Sequence, residues 1–191
     1  MREKVKIIEC PRDALQGTNK WVSTADKVSY YQALLKVGFD TLDCVSFVSP
    51  KAIPQMSDAA AVIDQLDLSD TKTKLLAIIA NTRGAKEASS HKKITYLGYP
   101  FSISENFQIR NTNKTIEESV VELQKIIEIA KKHDKTIVVY LSMGFGNPYG
   151  DPWSIEIMGS WVNIMNSFGI KIISLSDTIG MAKLEAIEAL F

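Results

Sequence analysis

KVKIIECPRDALQG, residues 4–17, joins an apolar run to an arginine and an aspartate set side by side. The first seven residues, KVKIIEC, are rich in β-branched side chains and read as a strand. In a protein of alternating strands and helices, ligands meet the fold at the carboxyl ends of the strands. Whether Arg12 and Asp13 are chemistry or ordinary turn polarity therefore depends on what the rest of the chain does.

The rest of the chain alternates. TADKVSYYQALLKVGF reads as a helix with Val28, Tyr31, Leu34 and Leu35 on one face and Gly38 as its C-cap. DTLDCVSFV is a second strand, with Pro50 and Pro54 marking the loop after it. SDAAAVIDQL follows as a helix capped by Ser57 or Asp58. KLLAIIA is a third strand, TRGAKEASS a short helix and KKITYLGYP a fourth strand, which leads into FSISENFQIRNTN without a further element.

KTIEESVVELQKIIEIAKKH is the clearest helix, because Thr115 and Glu118 form a capping box. Ile116, Val120, Leu123, Ile127 and Ala130 then follow at helical spacing. KTIVVYLS is a fifth strand, GFGNPYGDP a loop, WSIEIMGSWVNIMNSFG a helix, IKIISLSDTIG a sixth strand and MAKLEAIEALF a final helix.

Such alternation implies parallel strands with right-handed crossovers, in one domain over residues 1–191. An open doubly wound sheet and a (β/α)8 barrel both fit. No GxGxxG fingerprint follows the first strand, which weakens a dinucleotide site. Six βα units would fill an open sheet and are two short of a closed barrel.

Composition narrows the function classes. The 191 residues are 46% hydrophobic and carry 22 basic and 22 acidic side chains, a formal net charge of zero. Nucleic-acid binding normally needs a basic surplus, so none is expected. The longest apolar stretches are strand-sized, short of the roughly 20 residues that span a bilayer, and no membrane partner is expected. MREKVKIIEC lacks the apolar core of a signal peptide. Two cysteines, Cys10 and Cys44, make no disulfide framework and fit a reducing compartment, so a cytoplasmic protein is expected.

At the strand ends stand Arg12, Asp13 and Gln16, then Asp43 and Ser46, Asn81 and Arg83, Ser104 to Asn106 with Asn111, Tyr140 and Ser142, and Ser176 to Thr178. Apolar strands ending in carboxylates, amides and an arginine make a bed for a hard divalent cation and an oxygen-rich anion. Helix capping or turn formation would account for Asn81, Ser176 or Thr178 taken singly. A capping aspartate would not account for the arginine beside Asp13. His91 and His133 fall at the opposite, amino-terminal rim and read as surface residues. Cys10 and Cys44 read as buried thiols, and Tyr30, Tyr31, Trp153 and Trp161 as packing residues.

VKIIECPRDALQG, DCVSFVSPKAIPQM, LSMGFGNPYGDP and IISLSDTIG closely resemble, in order and spacing from about residue 4 to 180, the 3-hydroxy-3-methylglutaryl-CoA lyases. These belong to the metallolyase group that includes isopropylmalate synthase. The resemblance implies a (β/α)8 barrel of which this chain carries about the first six units, C-terminally incomplete relative to the family. It implies metal-dependent retro-Claisen cleavage of hydroxymethylglutaryl-CoA to acetyl-CoA and acetoacetate, with Mg²⁺ or Mn²⁺ as Lewis acid.

By motif position, the resemblance makes Asp13 a metal ligand and Arg12 the group that stabilises the enolate oxygen of acetyl-CoA. Asp43, which the resemblance counts with Arg12 as catalytic, stands where the family usually has glutamate, one methylene shorter. Gln16, Ser46, Asn111, Tyr140, Ser142 and Asp177 match positions lining the substrate pocket. The family takes further ligands from an HxH motif on its seventh strand and uses a cysteine after its eighth; the sequence ends at Phe191, before either. The partner implied is an acyl-CoA, and a homodimer is compatible with it. Two other readings stay open: a silent homologue acting as a binding remnant, and a related acyl-CoA or keto-acid metallolyase.

Overall fold

In the computed structural model, which describes residues 5–191, the described chain gathers into two compact units. One comprises the residues up to Leu97 together with Ile129–Thr136; the other comprises Gly98–Glu128 and Ile137–Phe191.

The first unit opens with a short strand, β1 (Ile8–Glu9), and a one-and-a-half-turn helix, α1 (Pro11–Gln16). Helix α2 (Thr24–Leu35), strand β2 (Thr41–Phe47), a 3-10 turn (Pro54–Met56), α3 (Ala59–Gln65), β3 (Lys74–Ile79), α4 (Thr82–Ser90) and the start of β4 (Ile94–Ser102) follow. Its strands are neighbours in chain order, and β1–β2 and β2–β3 run parallel. Every residue of β2 is buried, as is β3 from Leu75 onward; β3 is there a continuous apolar run, while β2 buries Thr41, Asp43 and Ser46 among its apolar residues.

The second unit takes the end of β4, then α5 (Glu105–Thr112), most of α6 (Ile116–Lys132), β5 (Thr136–Ser142), α7 (Ile155–Ser167), β6 (Ile172–Leu175) and α8 (Leu184–Leu190). Strands β5 and β6 pair in parallel, Val138 opposite Ile172 through Leu141 opposite Leu175. Phe101 and Trp161 pack with ring centroids 5.0 Å apart.

Local signals act where the sequence places them. Thr115 N–H donates to Glu118 Oε2 at 2.8 Å and Glu118 N–H to Thr115 Oγ1 at 3.1 Å, the reciprocal capping box. Asn81 caps α4 by accepting from Gly84 N–H at 2.9 Å. The expected C-cap Gly38 lies beyond the helix: α2 stops at Leu35 with Lys36 as its C-cap, and Gly38, at φ +87°, ends the turn that follows.

Four further expectations change. The first strand is two residues long, because Pro11 starts α1 at once; Lys4, its expected first residue, lies outside the described residues. Asp58 occupies the N-cap of α3 without capping it, since its carboxylate is bound by Lys27 and Thr24. Cys10 is exposed, while Cys44 is buried as expected. FSISENFQIRNTN holds a helix, α5, whose N-cap Ser104 accepts from Phe107 N–H and whose end is closed by Asn113 at φ +54°.

Helix α4 approaches β2 so closely that a Cβ on Gly84 would lie 2.3 Å from the Phe47 carbonyl oxygen. The obstacle is backbone, which cannot swing aside as a side chain would. Gly84→Ala, although it raises helix propensity, should therefore destabilise the protein by about 1–3 kcal/mol, the usual range for overpacking, in urea unfolding monitored by circular dichroism.

Candidate active site at the first two strands

Pro11 sets φ for the first helical position of α1 and needs no hydrogen-bond partner there, so the helix follows the first strand with a single linking residue, Cys10. One turn of helix then turns Arg12 toward β2. Its Nε donates to Asp43 Oδ1 at 2.9 Å and its Nη2 to Asp43 Oδ2 at 2.7 Å, a two-pronged pair that fixes the guanidinium plane. Nη1 donates to Gln16 Oε1, one turn along the same helix, and lies 3.4 Å from Asp13 Oδ1. The shorter side chain at position 43 thus reaches the arginine with both oxygens.

Asp43 is 1% exposed. Burial pushes its carboxyl above the usual carboxylate range, and the Arg12 guanidinium opposes that rise. Asp13, by contrast, has a side chain 74% exposed.

The placement of Ser46 follows from an irregularity in β2. Asp43 lies opposite Leu76 and Val45 opposite Ala77, leaving Cys44 as an extra residue in the strand. Ser46 then lies opposite Ile78, on the same face of β3 as Leu76. Asp43 and Ser46, three residues apart, therefore share one face of β2, where strict alternation would oppose them. Ser46 is buried and its Oγ has no hydrogen-bond partner among the described residues.

The remaining candidates lie in the second unit. Tyr140 and Ser142 alternate on one face of β5, partly exposed, with Val139 and Leu141 buried on the other. The Ser142 carbonyl accepts from Ile103 N–H at 3.3 Å and from Ser102 Oγ at 3.4 Å. Asp177, exposed beyond β6, has its carboxylate occupied by turn formation: Oδ1 accepts from Met181 N–H at 2.7 Å and Oδ2 from Ala182 N–H at 3.1 Å. Asn111 is exposed in the last turn of α5.

The structure therefore joins Arg12, Asp13, Gln16 and Asp43 by direct contacts and sets Ser46 on the face of Asp43. In the second unit the hydrogen bonds described for Ser142 and Asp177 run to Ile103, Ser102, Met181 and Ala182, none of them a candidate. His91 sits 3.2 Å from Asp64 Oδ1 and stacks on Phe47, remote in role from this cluster.

Three participants escape the sequence reading. Lys27 is buried on α2 in the i, i+4, i+8 row with Tyr31 and Leu35; that row is legible, but a lysine in it is not. Gln55 is buried in the 3-10 turn with no periodic signal at all. Asp151 closes the loop after β5 onto α5, accepting from Ser104 Oγ, from Asn106 N–H at 3.0 Å and from Asn106 Nδ2 at 2.6 Å, contacts that hold its carboxyl below the usual range.

A hard divalent cation needs several oxygen or nitrogen ligands. Asp43 is committed to Arg12 through both oxygens, and among the described residues no three His, Cys, Asp or Glu side chains come together. Asp13 offers one carboxylate, and the set does not complete a cation site. Among the described residues no helix is long and apolar enough to cross a membrane.

Comparison with known proteins gives one consistent result. The family model described as HMGL-like matches residues 4–191. A hydroxymethylglutaryl-CoA lyase of Bacillus subtilis is 34% identical over 190 residues, which cover 97% of this chain and 62% of that protein. The mitochondrial hydroxymethylglutaryl-CoA lyase of Arabidopsis thaliana is 35% identical over 180 residues, covering 93% of this chain and 38% of that one. The crystal structure of the Bacillus subtilis HMG-CoA lyase aligns with a TM-score of 0.89 over the whole chain and 66% of its own length. An Acinetobacter baumannii HMG-CoA lyase, solved with coenzyme A and 3-methylmalate, aligns with a TM-score of 0.90 at 28% identity, covering 97% of this chain and 60% of that one. The chain thus spans between about two fifths and two thirds of the relatives it matches. Its fold is of the (β/α)8 barrel type with six βα units, and the chain belongs to the HMGL-like family.

Proposed function

We propose that this chain carries the arginine half of a hydroxymethylglutaryl-CoA lyase site, in one catalytic domain that cleaves 3-hydroxy-3-methylglutaryl-CoA to acetyl-CoA and acetoacetate. The observation that carries this reading is the Arg12–Asp43 pair. A retro-Claisen cleavage leaves negative charge on the thioester oxygen of the departing acetyl-CoA. A guanidinium already fixed in plane by Asp43 keeps its positive charge in place, and Nη1 reaches that oxygen by exchanging its hydrogen bond to Gln16 or Asp13.

Asp43 acts here as the partner that orients Arg12 and compensates its charge. Gln16 holds the third nitrogen, and Ser46 supplies a hydroxyl on the same face, free to bond a substrate oxygen. Asn111, Tyr140, Ser142 and Asp177 complete the substrate-lining set in this reading. The same reading makes Asp13 one ligand of a divalent cation, Mg²⁺ or Mn²⁺, whose remaining ligands these residues do not supply, and places the protein in the cytoplasm. A Pseudomonas aeruginosa relative, 32% identical, is named for both 3-hydroxy-3-isohexenylglutaryl-CoA and hydroxymethylglutaryl-CoA, so a longer acyl branch is a second substrate to offer.

The test is acetoacetate release from 3-hydroxy-3-methylglutaryl-CoA by the protein with Mg²⁺ or Mn²⁺. Activity lost to chelator and restored by either ion supports the reading; activity indifferent to chelator removes the cation from it. Arg12→Gln should lower kcat by about 10²–10³-fold, the scale set by losing one donor to a developing oxyanion, while the circular dichroism spectrum is retained. Near-normal turnover in that variant would remove Arg12 from the chemistry. Protonating Asp43 would release the guanidinium, and its carboxyl is raised, so the acid limb of kcat/KM should lie above the ordinary aspartate value of about 3.9. An acid limb at or below that value would argue against the pairing role.

A further inference from the structure

Helix α1 ends at Gln16, and the chain then runs through Gly17–Val22 before α2 begins at Thr24. Such a loop has no ladder of its own, yet Gln16 holds Arg12, so its mobility would reach the candidate site. Gln55, 6% exposed, ties the loop down. Its Nε2 donates to Thr18 Oγ1 at 2.7 Å and to the Lys20 carbonyl, and its Oε1 accepts from Val22 N–H at 3.2 Å. Thr18 Oγ1 in turn donates to the Leu15 carbonyl at 2.8 Å, in the last turn of α1.

Gln55 is itself held from behind. The Lys27 ammonium, on a side chain 1% exposed, donates to the Gln55 carbonyl and to Asp58 Oδ1 at 2.7 Å. It also lies 4.0 Å from the centre of the Trp21 ring, so the same cation engages the loop directly. Thr24 Oγ1 occupies the other Asp58 oxygen at 2.7 Å. A buried ammonium without these acceptors would be costly, and with them it has one permitted position. Beside this network opens a cleft of about 440 Å³ lined by Gln16, Thr18, Trp21, Ile53, Pro54 and Gln55 among others.

We propose that Lys27 is a positioning residue for the candidate site: its buried ammonium locks Gln55 and Trp21 together, and so fixes the Gly17–Val22 loop, Gln16 and the orientation of Arg12. The inference rests on the function proposed above for its catalytic consequence, and on the network alone for its structural one.

The test compares Lys27→Met, Lys27→Arg and a Lys27→Met/Asp58→Leu double variant, the last leaving no unpaired charge should the single variant fail to fold. Two quantities are read in each: kcat and KM for acetoacetate release, and acrylamide quenching of the Trp21 emission, taken as the part abolished by Trp21→Phe. The folded Met variants should lose about 10²-fold in kcat, the scale of a small misplacement at a reacting centre, with KM little changed. Quenching of Trp21 should rise, and Lys27→Arg should recover most of both. Unchanged kcat in a folded Met variant would overturn the proposal, as would a fall in kcat with Trp21 quenching unchanged. A wild-type protein without lyase activity would overturn the function of the preceding section instead; Trp21 quenching would then decide the pinning by itself, unchanged values overturning it.

Discussion

A carboxylate taken out of water in the middle of a buried strand obliges the chain to bring a cation to it. Asp43 is such a carboxylate, and Arg12 answers it through two nitrogens. The effective cost of burying an ion is several kcal/mol even after relaxation, so neither side chain is tolerable in this position without the other. This requirement links α1 to β2 and explains why Pro11 starts a helix one residue after the first strand. A longer link would leave the guanidinium outside the reach of a carboxylate that is already one methylene short of the family's usual glutamate.

The same requirement recurs behind the site. Lys27 is buried against Asp58, and the pair spans α2 and the start of α3 as Arg12–Asp43 spans α1 and β2. Both pairs leave part of the cation's donor set for a second contact. Arg12 retains Nη1 for Gln16, and Lys27 retains a proton for the Gln55 carbonyl. Two ion pairs and one buried amide thereby join five successive elements of the first unit, α1, α2, β2, the 3-10 turn and the start of α3. The second unit solves the analogous problem with an exposed carboxylate, Asp151, fastening a glycine- and proline-rich loop onto a helix N-terminus.

What can be read from the sequence is the part governed by local rules. The capping box at Thr115 and Glu118, the cap at Asn81, the buried strands β2 and β3 and the adjacency of Arg12 and Asp13 all follow from neighbours within a few residues. What escapes depends on partners some thirty residues away. Lys27 looks like a solvated helix charge until Asp58 and Gln55 are brought beneath it. Asp58 looks like a cap until Lys27 claims it, and α5 is hidden because FSIS extends the preceding strand while its capping serine resembles one more loop residue. Ser46 is legible as a strand-end polar residue, but its place beside Asp43 is not, since ordinary alternation sets it on the opposite face. The two units differ in legibility as well: the candidates of the second stand at strand ends by alternation, their roles come from the motifs, and the contacts of Ser142 and Asp177 run through backbone groups.

The extra residue at Cys44 has an evolutionary consequence. Because it lies inside a strand buried on both faces, it is invisible to hydropathy, and loss of the irregularity would leave the composition of β2 unchanged. Yet a one-residue slip that drew Cys44 into the ladder would return the strand to even spacing and carry Ser46 to the face away from Asp43, with apolar neighbours still able to fill the core. A lineage could therefore lose the hydroxyl from the pocket while keeping a well-packed barrel strand. In this fold, divergence of function by the loss of one bulge in β2 is open to chains that any measure of residue similarity would still count as close kin.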